Sequence, residues 1–156
     1  MQFKIYRSSA GSGKTFTLAK EYLKLALAAP MNEVFQPNYY KQILAVTFTN
    51  DAANEMKERI MGYLSDFAKG KHYDEGMKNA ILSELSSDFP QLNITEEIFF
   101  KRAKKIHEHL LHNYSDFSVS TIDSFNNRVV QSFKKDLQLP YNYEIELDTT
   151  ELREEA

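Results

Sequence analysis

The 156-residue chain contains no cysteine, which excludes disulfide bridges and thiolate-ligated zinc. It also lacks any apolar run near the ~18 residues that a membrane-spanning helix needs. The opening Met1-Gln2-Phe3-Lys4-Ile5-Tyr6-Arg7 has no apolar h-region of the secretory kind, so a cytoplasmic protein with no membrane partner is expected. An excess of one charge is missing as well, with 19 Lys+Arg against 22 Asp+Glu. The net charge of −3 gives no whole-molecule attraction to nucleic acid or to a membrane surface, and any nucleic-acid contact has to be local. Glycine and proline are few, five and four, and stand mostly at element boundaries; internal repeats and low-complexity tracts are absent. With 42% apolar residues, what is present suffices for one domain with a core.

Three β-α units follow one another. Phe3-Lys4-Ile5-Tyr6 alternates like a short strand, a Ser/Gly-rich loop follows, and a helix is expected over 14–28. In that helix Phe16, Ala19, Leu23, Ala26 and Leu27 share one face and Lys20, Glu21 and Lys24 the other, with Pro30 ending it. The run 43–48 is apolar and β-branched, the pattern of a strand covered on both faces. Asn50 is then placed to cap a helix with Ala53, Met56, Ile60, Tyr63 or Leu64, and Phe67 on its apolar stripe, and with Glu55 and Arg59 paired. The third strand is expected over 117–122, with Asp123 or Ser124 capping a helix that carries Phe125, Val129, Phe133 and Leu137. Strands joined through helices imply a parallel sheet.

Between the second and third units, about 70–114, the signals are helical only. One helix is expected over 75–85, and a second opened by Asn93 with Glu96 at capping-box spacing and bearing Phe99, Ala103, Ile106 and Leu110. A further alternating stretch, 143–147, suggests one more strand. The fold class is thus α/β: a P-loop NTPase with a partial parallel sheet, helices on both faces and a helical insertion.

Ser8-Ser9-Ala10-Gly11-Ser12-Gly13-Lys14-Thr15, between expected strand and helix, is the segment with most chemistry in it. A triphosphate needs several backbone N–H donors converging on it; glycines permit the close approach and positive φ, and the helix N-terminus adds free N–H groups and a positive dipole end. In this reading Lys14 reaches the β- and γ-phosphates of ATP as the catalytic lysine, and the Thr15 hydroxyl ligates Mg²⁺. Ser8 stands where the pattern G-x-x-x-x-G-K-[ST] has its first glycine.

Taken together, the units resemble the N-terminal part of the motor of UvrD/Rep-like superfamily 1 DNA helicases, and within them the RecB/AddA-like branch. Residues 9–15 are similar to the first helicase motif. Residues 43–60, with Thr47-Phe48-Thr49-Asn50 at their turn, are similar to motif Ia, and Val119-Ser120-Thr121-Ile122-Asp123-Ser124-Phe125 to the later Thr-(Ile/Phe)-His-(Ser/Gly)-Phe motif. The resemblance implies an ATP-dependent helicase or translocase in recombination or repair. It implies single-stranded DNA at Thr47, Phe48, Thr49, Asn50, Thr121 and Ser124, and, as partners, the rest of the motor and nuclease subunits. It further implies residues 1–139 as the start of the motor domain and 140–156 as the start of an accessory subdomain. Asp123 stands in place of the family's histidine, and Gln2 is a poor substitute for its adenine-recognising glutamine. The family's Asp-Glu motif and the arginine of its second motor domain have no counterpart in these residues, so ATP binding without efficient turnover is expected of the chain by itself.

The residues support the same chemistry without the family. Hydroxyls, an amide and N–H groups at strand ends and helix starts can hold phosphates, and Phe48 and Phe125 can either stack on bases or pack in a core. His107, His109 and His112 lack zinc-protease spacing, since Leu111 stands where the second histidine would be. Lys101, Arg102, Lys104 and Lys105 read as an exposed face paired to Glu97 and Glu108, or as a phosphate track. Two other functions fit the cradle: a self-contained small P-loop kinase or NTPase with Asp123 as the Mg²⁺-water carboxylate, and a non-catalytic module that binds ATP to order the insertion. An open sheet edge in such a chain would favour self-association.

Overall fold

The computed structural model describes residues 4–6, 13–29, 34–134 and 136. Five helices and two strands follow in the order α1 (Lys14–Ala28), β1 (Ala45–Thr47), α2 (Asn50–Lys69), α3 (Glu75–Asp88), α4 (Glu96–His112), β2 (Val119–Thr121) and α5 (Ile122–Ser132). β1 and β2 are parallel, with Ala45 opposite Val119, Val46 opposite Ser120 and Thr47 opposite Thr121. A parallel pair requires a long crossover, and here α2, α3 and α4 all lie within it. This is a mixed α/β fold with a small parallel sheet.

The core forms where four amphipathic helices meet. Leu23 and Leu27 of α1, Ile60, Leu64 and Phe67 of α2, Met77, Ile81 and Leu85 of α3, and Phe99, Ile106 and Leu110 of α4 are all buried in one cluster. Phe67 and Phe99 meet edge to face, centroids 5.0 Å apart, and fix α2 against α4. Gly70 ends α2 at φ 64°, donating to the Asp66 and Phe67 carbonyls, a left-handed turn that glycine takes without penalty.

Several expectations differ from the structure at their edges. The strands expected over 43–48 and 117–122 shorten to three residues each. The run 43–48 is not fully covered on both faces: Leu44 and Val46 are 46% and 41% exposed, lining with Leu18 and Leu25 of α1 an open cavity of about 280 Å³ that no described side chain fills. Lys4, Ile5 and Tyr6 have no regular structure, Phe3 lies outside the described residues, and the alternation there serves side-chain contacts instead of a ladder. Caps fall on threonines. Thr49, not Asn50, caps α2; Thr95, not Asn93, caps α4; Thr121, not Asp123 or Ser124, caps α5. Each accepts a backbone N–H three residues on from an extended backbone, which for Thr49 and Thr121 the end of a strand supplies. Asn93 instead takes φ 43° at the close of a 3-10 turn. The apolar stripe of α5 remains largely uncovered, with Val129 and Phe133 exposed. Leu137 and the alternation at 143–147 lie outside the described residues.

Candidate nucleotide and nucleic-acid site

The N-terminus of α1 differs from every other described helix start. Gly13 holds φ 77°, ψ 25°, its carbonyl accepts from the Thr17 N–H at 2.9 Å, and no side chain caps the helix. Each of α2, α3, α4 and α5 has a side-chain cap and an acidic residue in its first turn; α1 has neither. Among the described residues its first N–H groups thus have no side-chain acceptor, the positive end of the helix meets no carboxylate of its own first turn, and Lys14 is exposed beside it. Thr15 is half-buried in the same turn. A phosphate-bearing anion fits this arrangement, and the hydroxyl of Thr15 is of the oxygen type that Mg²⁺ accepts. Ser8, Ser9, Ala10, Gly11 and Ser12 lie outside the described residues.

The second cluster stands at the carboxyl ends of the two strands. The register that sets Thr47 opposite Thr121 brings the starts of α2 and α5 to one edge of the sheet. Thr47 Oγ1 donates to the Thr49 carbonyl at 2.9 Å, and Thr49 Oγ1 accepts from the Ala52 N–H at 3.2 Å. Phe48 between them is 87% exposed. Its core alternative is therefore excluded, and an aromatic face is open to solvent at the strand end. Asn50 is exposed next to it. Thr121 is buried, its hydroxyl donating to Ser124 Oγ at 2.8 Å and accepting from the Ser124 N–H at 3.1 Å, so it is occupied in building the turn. Ser124 is the exposed member of that pair. Asp51 and Asp123, in the first turns of α2 and α5, put negative charge beside both helix starts. Phe125 is half-buried and lines, with Ile43, Leu44, Arg128 and Val129, a cavity of about 310 Å³. Arg128 crosses to donate to Ser120 Oγ at 2.7 Å.

The remaining candidates resolve into structural roles. Arg102 is not a solvated residue: it donates to the Leu27 carbonyl at 2.6 Å and the Ala28 carbonyl at 3.3 Å, and sits 4.6 Å over the Phe35 ring. It thereby satisfies carbonyls that the end of α1 leaves open. Lys101, Lys104 and Lys105 stay exposed on α4, without the ion pairs to Glu97 and Glu108 that the spacing allows. Glu55 and Arg59 pair as expected, at 2.7 Å. His109 Nδ1 is 3.0 Å from the Tyr40 hydroxyl, and burial lowers the pKa of His107. No group of three or more His, Asp or Glu among the described residues could hold a metal. No described helix is long and apolar enough to cross a membrane.

A charged cluster beside α1 was invisible in the sequence. Lys24, expected on the solvent face, is 2% exposed. Its ammonium lies 2.8 Å from Glu21 on its own helix, and 2.7 Å from Glu84 and 2.8 Å from Asp88 on α3. Lys20 also pairs with Glu84, and Lys4 with Asp88 at 2.7 Å. Burial alone would lower the pKa of Lys24, but hydrogen bonds to Asp88, Glu21 and Glu84 outweigh it and raise it. Burial alone would raise Glu84, yet its bonds to Lys20 and Lys24 hold it down at about 2. Bonds from Lys24 and Lys4 lower Asp88 in the same way. A lysine and a glutamate one helical turn apart, as Lys24 and Glu21 are, read as solvated surface until a second helix is known to cover them.

Comparison with known proteins agrees with this geometry. The family model for the UvrD/REP helicase N-terminal domain matches residues 4–155. RecBCD enzyme subunit RecB of Haemophilus influenzae is 30% identical over 97% of this chain and 12% of its own length. One subunit of the ATP-dependent helicase/nuclease of Lactobacillus acidophilus is 29% identical over 92% of this chain and 9% of its own. ATP-dependent DNA helicase UvrD1 of Mycobacterium bovis is 40% identical over 40% of this chain and 7% of its own. The chain thus spans 12% or less of the length of these relatives. No solved structure matches it.

Proposed function

The chain belongs to the UvrD/REP helicase N-terminal domain family, and from that premise we propose that it is the ATP-binding N-terminal segment of an ATP-dependent DNA helicase or translocase acting in recombination or repair. The observation that carries the reading is the start of α1: a left-handed Gly13, then Lys14 and Thr15, with no side-chain cap and no acidic residue in the first turn. In this reading Ser8, Ser9, Ala10, Gly11, Ser12 and Gly13 supply backbone donors to the phosphates and Lys14 neutralises the β- and γ-phosphates. Thr15 holds Mg²⁺, and the ion supplies charge stabilisation to the transferring phosphoryl group when bound. Thr47, Thr49, Asn50, Thr121 and Ser124 position the backbone of single-stranded DNA at the strand ends, while Phe48 stacks on a base. Of these, Thr47 and Thr121 act through the turns they build, since each already donates its hydroxyl proton, Thr47 to the Thr49 carbonyl and Thr121 to Ser124.

Residues 1–139 then form the start of the motor domain, 70–114 its helical insertion, and 140–156 the beginning of the next subdomain. The names of the RecB and helicase/nuclease relatives, one a subunit of an enzyme and one of a helicase/nuclease, support further motor and nuclease subunits as partners, and a cytoplasmic setting is part of the same proposal. Family membership favours this reading over a self-contained kinase built on Asp123.

The test is MgATP binding by calorimetry, together with steady-state turnover, on the wild type and on Lys14→Ala. Binding that Lys14→Ala weakens at least tenfold, with little turnover in either protein, is the expected result. Nucleotide binding indifferent to Lys14→Ala would overturn the assignment of the cradle. Robust turnover that Lys14→Ala abolishes would restore the kinase reading.

A further inference from the structure

We propose that Glu84 and Asp88 of α3 are positioning residues for the nucleotide site, fixing both α1 and the chain that enters it, and so tying nucleotide occupancy to the α3–α4 hairpin. The inference rests on the reading of Gly13, Lys14 and Thr15 as a phosphate cradle. On the entering side, Lys4 reaches Asp88 at 2.7 Å, and the Tyr6 hydroxyl donates to Glu21 at 2.9 Å. On the helix side, Lys20 and Lys24 both reach Glu84, and Lys24 reaches Asp88 at 2.8 Å. The stretches before and after residues 7–12 thus share one carboxylate of α3, Asp88, while Glu84 holds the helix alone. At the far end of α1, Arg102 of α4 binds the Leu27 and Ala28 carbonyls. Each helix of the hairpin therefore holds α1 by its own polar contact.

The physical consequence follows from burial. Lys24 has almost no access to water, so separating α3 from α1 leaves it with Glu21 alone and takes from it the two carboxylates of α3, Glu84 and Asp88. An opening of α1 is for that reason an opening of α3 as well, and the two exchange their amides through one shared event. A ligand that binds only the closed form slows that event by the factor 1 + [L]/Kd, about 100-fold at about 100 times Kd. Binding at the first turn of α1 should then be felt along α3, which supplies no residue to the cradle. By thermodynamic reciprocity, whatever loads the hairpin alters nucleotide affinity by the same factor.

Hydrogen exchange of the whole chain, with and without MgATP, tests this. In the wild type MgATP is expected to slow α1 and α3 by similar factors. In Glu84→Gln/Asp88→Asn, which keeps side-chain shape and leaves Lys24 paired to Glu21, α1 should still respond. The response of α3 should fall severalfold, while α4, held by Arg102, keeps its own. Glu84→Gln alone gives the same comparison, with a smaller loss, should the double variant fold poorly. A wild type in which α1 responds and α3 does not would overturn the proposal, as would a folded variant whose α3 responds undiminished. If α1 itself fails to respond, the phosphate cradle is refuted first and the proposal falls with it.

Discussion

Phe48 is the residue whose environment says most about its use. An aromatic ring 87% exposed at the end of a strand contributes nothing to the core, and its neighbours Thr47 and Thr49 spend hydroxyls on holding the turn that presents it. If the ring stacks on a base, Phe48→Ala should weaken single-stranded DNA binding by about 1–3 kcal/mol per base stacked, with an unchanged salt slope because no phosphate contact is lost. Fluorescence anisotropy across a salt series separates the two quantities, and an unaltered affinity would remove Phe48 from the DNA side. Gly13 makes a different kind of prediction. Among the described residues a Cβ there would meet only the Phe16 Cβ at 4.0 Å; the obstacle is the backbone at φ 77°. Gly13→Ala should cost about 1 kcal/mol of stability from the left-handed conformation alone, read as a lowered Tm. MgATP affinity should fall further, because relaxation of that φ turns the first N–H groups of α1 away from their anion.

At the scale of elements, the contact between α1 and α3 has its own pH dependence. Glu84, held at about 2, and Asp88, held below the usual carboxylate range, are charged in the folded chain. A depressed carboxylate contributes stability that is complete above its unfolded pKa and is lost as pH falls through the folded value. The raised Lys24 contributes below the ordinary lysine range and loses its share only above it. Between these limits the contact is insensitive to pH. Acid should loosen it between about pH 4.5 and pH 2, by on the order of 1–3 kcal/mol. Urea titrations at successive pH values should show that slope in the wild type and a flatter one in Glu84→Gln. Elements also show what a sequence can reveal. The helices from 14 and from 50 were legible because their apolar residues recur at helical spacing, and the strands because β-branched runs stood before cap residues. The caps themselves were misplaced by one to three residues, since Thr-Asn, Asn-Ile-Thr and Thr-Ile-Asp-Ser each offer more than one oxygen and only backbone φ and ψ decide between them. Of the candidate site, the glycine-lysine-threonine start of α1 was legible as local chemistry. The burial of Lys24 was not, because it depends on a partner helix sixty residues away in sequence.

Over the whole molecule, apolar surface is unevenly covered. The four helices around Leu23, Ile60, Ile81 and Ile106 bury their faces completely, whereas the sheet side leaves Leu44, Val46, Ile122, Val129 and Phe133 exposed. That side adjoins two strands which, among the described residues, pair only with each other, so unmet backbone donors and acceptors lie beside unmet apolar side chains. Either feature alone is common; together they form a template on which another strand or a second chain can pair. The isolated 156-residue chain should accordingly self-associate, with a sedimentation coefficient that rises with protein concentration. Val46→Lys places a charge on β1 at a half-exposed position, 41% open to solvent, away from Gly13, Lys14 and Thr15. It should restore monomer behaviour while leaving nucleotide binding unchanged. Association that survives Val46→Lys would move the interface off β1, and a monomer at every concentration would overturn the prediction.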